Sequence, residues 1–371
     1  MIQTIIIYTL LMVSMMIFAH YSALHVKYYQ NVTIFKAEYL LPIFLFSIIF
    51  GIRFDVGVDY MSYLSHYEDI KFGHDVDKEF LYVFLLKIFS SNNVNVVFFF
   101  SFLSFLQIFF IYLSFKNTPQ ILLYIIFILF TGRYYMDWMN LIRQSIAFCI
   151  FVYSIKYIKE NKFKYYLTYI SIAFLFHKSA IILLLLYPIL KNNKDYFKST
   201  SLQLIIFSFV FIFRNLINIK SYTDLFNTLF MVTDYGKYSF RYLDNTRALS
   251  TGFGFVALRL IDIIIIFYNK KLKKYFRNSR FIIFYNIYFV GTVFSLLVMG
   301  NIILERPILY FSSMKMIVVS YLLYYLWRHK KPEINSLIFV IIVIVYIALF
   351  IASIVNGVNR PELKVVYHFF W

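Results

Sequence analysis

The chain has 371 residues, of which 61% are hydrophobic and 15% charged, with a formal net charge of +18 at pH 7. Soluble domains carry about 25% charged residues, so a water-soluble globular core is excluded. The basic excess sits mainly in short loops between apolar runs, as juxtamembrane charge does, which excludes nucleic acid as a partner.

Apolar runs near the length of about 20 that a helix needs to cross hydrocarbon recur along the chain. They predict spans near residues 2–20, 38–52, 95–115, 120–134, 138–156, 201–219, 252–269, 281–300, 308–327 and 335–357. The first lacks a basic leader and a small-residue cleavage site, so it reads as a retained span and not a signal peptide. Between the fifth and sixth, residues 165–190 are split by His177 and Lys178 into two apolar arms. At about 1.5 Å per residue neither arm crosses alone. This predicts a broken helix or re-entrant hairpin, tolerated at membrane depth only beside protein or a watery cavity. The expected fold is all-α: a polytopic transmembrane helix bundle of about ten spans plus one broken or re-entrant helical hairpin, in a single integral membrane domain over 1–371.

Basic loops set the orientation. KYIKENKFK (156–164), NKKLKKYFRNSR (269–280) and RHKK (328–331) belong on the cytoplasmic side. Lys191, Lys194 and Lys198 join them if the hairpin enters and leaves by one face. Both termini and the long loops near 53–94 and 220–250 then lie outside, with Asp55, Asp59, Glu68, Asp69, Asp75, Asp77 and Glu79 gathered in the first. Cys149, the only cysteine, lies in an apolar run, so one chain offers neither a disulfide nor a thiolate metal site. No Walker loop, Rossmann fingerprint or HExxH occurs, so neither cofactor nor metal is expected.

Three constellations could carry chemistry. In GIRFDVGVDYMSY (51–63), Arg53, Asp55 and Asp59 bring one cation and two carboxylates to a span end, with Gly57 permitting a bend. A cation can hold phosphate while a carboxylate accepts a proton; the alternative is a capped helix end with a snorkelling Arg. In MDWMNLIRQSIA (136–147), Asn140, Arg143, Gln144 and Ala147 share one helix face. An Arg inside a membrane helix faces a partner or a cavity, though Asn and Gln also bond between helices. In AFLFHKSAI (173–181), His177 could act as acid or base and Lys178 could meet an anion; a lone structural His is the alternative. Arg241, Arg247 and Arg306, with Tyr310 one turn later, add outward cations, and guanidinium groups suit a diphosphate because they bond phosphate oxygens in pairs. Arg259 and Asp262, three apart, read as a structural pair in preference to a proton relay.

GIRFDVGVDYMSYLSHYED, then Glu79, NLIRQSIA, IAFLFHKSAIILLLLYPIL and ERPILYF resemble, in order and spacing, successive motifs of the EpsG family of exopolysaccharide polymerases, similar in role to Wzy polymerases. Val58 stands where the family often has Thr, and 191–300 matches weakly, so Arg241 and Arg247 rest on the residues alone. The resemblance implies a membrane glycosyltransferase joining polyprenyl-diphosphate-linked oligosaccharide repeat units on the outer face of a bacterial cytoplasmic membrane. Under it, Asp59, Asp55 or His177 is the base. Arg143, Arg306, Arg53 and Arg241 bind the diphosphate, and Asn140, Gln144, Lys178, Glu79 and Tyr310 support them. Membrane lipid, a chain-length regulator and other polysaccharide-assembly proteins are the expected partners. A flippase for the same lipid-linked unit, or a membrane O-acyltransferase relying on His177, are the rival readings.

Overall fold

The computed structural model describes residues 1–28, 33–92, 94–214, 252–299 and 302–370. Among these residues the regular structure is helical, as expected, and the one β-type pairing is an isolated bridge between Arg53 and Phe369. The chain forms two compact units: Met1–Asn192 with Leu323–Trp371, and Asn193–Leu322.

The first unit contains α1 (Ile2–Tyr28), α2 (Ala37–Gly51), α3 (Tyr60–Lys71), α4 (Phe80–Ser91), α5 (Val96–Phe115), α6 (Pro119–Thr131), α7 (Tyr134–Asn140), α8 (Ile142–Lys159), α9 (Phe163–Phe176) and α10 (Leu186–Leu190). Local chemistry explains where several begin. The Asn95 side chain accepts from the Val97 N–H at 2.9 Å and caps α5. Pro119 opens α6, where its missing N–H costs nothing. Gly132 and left-handed Arg133 end α6, so α6 and α7 meet at 68°. Tyr8, Phe130 and Tyr135, from α1, α6 and α7, then pack with ring centroids 4.7 to 6.5 Å apart.

The segment around His177 folds back on itself. α9 ends at His177, whose backbone is extended, and a 3-10 helix (Lys178–Leu185) returns along α9. The Tyr166 hydroxyl donates to the Leu183 carbonyl at 2.6 Å, and the Tyr187 ring lies 4.9 Å from Phe163 and 5.4 Å from Tyr166. The Asn192 N–H reaches Asn161 Oδ1 at 3.4 Å, so the arm ends beside the point where it began.

After α16 (Glu333–Asn359), which also belongs to the first unit, the tail straps the α2–α3 loop. Phe54 N–H donates to His368 O at 2.8 Å, Gly57 N–H to Lys364 O at 2.8 Å and Phe370 N–H to Ile52 O at 2.7 Å. The second unit contains α11 (Thr200–Phe213), α12 (Phe253–Tyr275), α13 (Phe281–Leu297) and α14 (Ile302–Ser312); α15 is Met314–Arg328.

Ile2–Val26, Val96–Phe115, Leu304–Arg328 and Glu333–Asn359 are long and apolar enough to cross a membrane, and α6 with α7 makes a fifth candidate if the bent pair is one span. The other apolar helices among the described residues have 10–17 residues, so length and apolarity alone do not reach the ten crossings expected. Their outer surfaces are nonetheless lipid-like: α2 exposes Leu41, Phe44, Leu45 and Ile48, and α11 exposes Leu202, Ile205, Phe209 and Ile212. Contiguous apolar surface of this kind needs a nonaqueous neighbour.

Candidate functional site

Three sequence motifs meet at Glu79. Its backbone is extended just before α4, and its side chain leaves the helix end uncapped and turns inward. One carboxylate oxygen, Oε2, accepts from a guanidinium Nη of Arg143, 64 positions later in the chain. The other, Oε1, lies 2.8 Å from His177 Nδ1 and 3.4 Å from the Lys178 N–H. A backbone break places each partner. Leu141, non-helical between α7 and α8, puts Arg143 in the first turn of α8. The extended His177 residue, between α9 and the 3-10 helix, presents its ring and the following N–H together.

The carboxylate is 8% exposed and the Arg143 side chain 20%, so the pair is enclosed but reachable on the arginine side. Burial pulls the Glu79 carboxyl upward, but the hydrogen bond with His177 and the charge of Arg143 outweigh it and hold the pKa near 2. Glu79 is therefore an anion at any working pH.

A polar and aromatic layer backs the ion pair. Tyr82, one turn after Glu79 on the same face of α4, lies under the Arg143 guanidinium, 5.4 Å from ring centroid to carbon. Its hydroxyl is 3.2 Å from His66 Nδ1 on α3. Burial, with the nearby charges of Lys78 and Arg143, lowers the His66 pKa to about 4, so that ring is neutral. Tyr63 donates to the Asn140 carbonyl at 3.1 Å and flanks Arg143. Asn140 Oδ1 in turn accepts from the Val58 N–H at 2.7 Å.

Arg143, His177, Glu79, Asn140 and the Lys178 backbone thus come together; the Lys178 side chain is exposed. Gln144 is buried in α8 beside Arg143. Asp59 stands half-buried at the start of α3, its carbonyl accepting from Tyr63 N–H at 3.1 Å. Asp55, left-handed, is held by Lys364 at 2.6 Å. Arg53 is 1% exposed; it donates to the Val56 carbonyl at 3.3 Å and to the Phe50 carbonyl, and its guanidinium faces Tyr60 and Phe100. Burial lowers its pKa. Arg306 and buried Tyr310 lie on α14, in the second unit. Arg241, Arg247 and the 220–250 loop lie outside the described residues.

Tyr63, His66 and Tyr82 escape a reading of charged motifs. Their signal is spacing: Tyr63 and His66 are three apart on α3, and Tyr82 follows Glu79 by three. Among the described residues no group of three or more His, Cys, Asp or Glu could hold a metal ion.

Together these groups can orient an imidazole, hold an anion on a guanidinium, and move a proton between imidazole and substrate. The EpsG family model matches residues 36–365, a stretch that contains every residue of the Glu79 site. No curated protein and no solved structure matches the chain.

Proposed function

The chain belongs to the EpsG family, the family of exopolysaccharide polymerases, and on that premise we propose that it joins oligosaccharide repeat units carried on polyprenyl diphosphate. The observation that carries the reading is the convergence of Arg143 and His177 on one buried carboxylate. In the proposed step an acceptor hydroxyl oxygen bonds to the anomeric carbon of the donor chain. The bond from that carbon to the diphosphate oxygen breaks, and the lipid diphosphate departs with the electron pair. The hydroxyl proton passes to His177 Nε2, because Nδ1 faces Glu79. Arg143 offsets the charge growing on the leaving diphosphate.

His177 is the base this geometry supports best. Asp55 is committed to Lys364, and Asp59, at the head of α3, is the second choice. Arg53, enclosed with its Nε and one Nη on carbonyls, shapes the α2–α3 loop. The site belongs on the outer face of a bacterial cytoplasmic membrane, in a chain of about ten crossings whose shorter helices tilt little and cross thinned bilayer.

The test uses purified protein in lipid nanodiscs with a polyprenyl-diphosphate-linked repeat unit as the sole substrate. Longer lipid-linked products and free polyprenyl diphosphate are expected, and Arg143→Ala should slow their formation on the order of 10²-fold or more. Unlengthened substrate with folded wild-type protein rejects the polymerase. Acylated sugar or translocation without extension would point instead to the rival activities.

A further inference from the structure

Chain ends are poorly ordered unless something ties them down, and the tail after α16 is tied to three helices of the first unit. α16 ends at Asn359, Pro361–Leu363 make one 3-10 turn, and left-handed Lys364 (φ +46°) turns the chain back. A Cβ on Gly357 would overlap Val365, so the returning tail lies directly on α16. Side chains then alternate as in a strand: Val365 and Tyr367 point inward, 2% and 1% exposed. The Tyr367 N–H donates to Thr4 Oγ1 on α1 at 3.0 Å, and its hydroxyl donates to the Ile49 carbonyl on α2 at 2.5 Å.

The α2–α3 loop lies between this tail and α7. Asp55 (φ +50°) and Gly57 (φ +97°) are both at positive φ, two turns that neither flanking helix imposes. On one side the tail holds them: the Phe54 N–H donates to His368 O, the Gly57 N–H to Lys364 O, and Lys364 Nζ meets Asp55 at 2.6 Å. On the other side the next N–H, that of Val58, donates to Asn140 Oδ1 at 2.7 Å. The Asn140 carbonyl also accepts from the Tyr63 hydroxyl at 3.1 Å, so loop and α3 grip the last residue of α7 by side chain and backbone. Leu141 then breaks the helix, and Arg143 follows in the first turn of α8. Successive N–H groups at 57 and 58 therefore join the tail to the residue that sets where α8 starts.

We propose that residues 360–370 are a positioning element of the transfer site, with Lys364 as its latch. By holding the loop they keep Val58 on Asn140, and through Asn140 they fix the start of α8 and the reach of Arg143 to Glu79. The kinetic consequence rests on the polymerase reading; the coupling rests on the contacts alone. The Lys364 and Asp55 side chains are 29% and 31% exposed, and ion pairs so open to solvent add little stability. The consequence of this pair is where it holds the loop.

The experiment measures lengthening and amide exchange on full-length protein in nanodiscs, at matched folded amounts. Lys364→Glu sets two carboxylates where a pair stood. It should lower kcat roughly 10-fold and leave the KM for the lipid-linked unit within about 2-fold, because Arg143 then misses charge that grows only in the transition state. Lys364→Arg, which keeps the pair, should stay within about 2-fold of wild type. In Lys364→Glu, exchange at the Val58 and Ser145 amides should quicken about 10-fold or more with the melting temperature kept. The Ser145 N–H bonds to Leu141 O at 2.8 Å, so it reports the first turn of α8. In an Asn140→Ala background, Lys364→Glu should slow lengthening by less than about 2-fold further, because the path is already cut. An unchanged kcat in Lys364→Glu, a full further loss in the Asn140→Ala background, or quickened exchange that stops at Phe54 and Gly57 makes the tail a brace for its own loop and overturns the proposal. A wild type that does not lengthen overturns the polymerase, and the two amides then decide the latch by themselves.

Discussion

Glu79 sets the character of its site because both its oxygens are committed to different partners. Replacing it by Gln tests this without changing its shape. One amide oxygen cannot accept from both Arg143 and His177, and the amide NH2 would face a donor. The buried guanidinium then loses its counter-charge, a change that costs about 3–5 kcal/mol in comparable pairs, so protein level must be measured beside activity. We expect Glu79→Gln to slow lengthening on the order of 10²-fold. The pH profile supplies a second readout. Glu79 is depressed to about 2, so the stability it contributes is present above its unfolded value, near 4.5, and is lost only as pH falls toward 2. An acid limb nearer neutrality therefore belongs to another group. If that group is His177, removing the adjacent anion disfavours the imidazolium, and the limb moves to lower pH. A limb that stays in place removes His177 from the base role.

At the scale of elements, the site depends on two loops holding three helices in register. Gly57 shows the tolerance: its φ is +97°, and a Cβ there would meet Asn140 Oδ1 at 2.7 Å. Asn140 is three residues before Arg143, so pushing it aside displaces the start of α8. Gly73 is a built-in control, with φ at +83° and nothing within 4 Å of an added Cβ. Both Ala variants bear backbone strain of about 1–3 kcal/mol. Only Gly57→Ala should lower the lengthening rate by roughly 10-fold or more at matched protein level; equal rates for the two would detach the loop from the site. The same loop shows what was legible in the sequence. Arg143 and His177 were visible because polar residues inside apolar runs demand a reason. Glu79 was visible only as a supporting residue, since nothing near it in the chain reveals partners 64 and 98 positions away. Arg53 and Asp55 read as site residues from charge alone, whereas the tail that encloses the one and neutralises the other arrives more than 300 residues later. The bend between α6 and α7 needed a left-handed Arg133, a conformation that composition does not announce.

For the whole molecule, the outer-face assignment turns on whether 165–190 returns or crosses. The contacts between Tyr187 and Phe163 and between Asn192 and Asn161 bring the two ends of the segment side by side. A chain that leaves beside its point of entry keeps Lys191 with the basic loop 156–164, on the side where such loops are retained. A crossing would put them on opposite faces. Cysteine labelling decides this, because Cys149 is buried and is the only native cysteine. In a Cys149→Ser background, Glu68→Cys on α3 should react with a membrane-impermeant maleimide in intact cells. Glu160→Cys and Lys191→Cys, both at exposed positions, should react only after the membrane is opened. Lys191→Cys labelled from outside while Glu160→Cys stays protected would make the segment a full crossing.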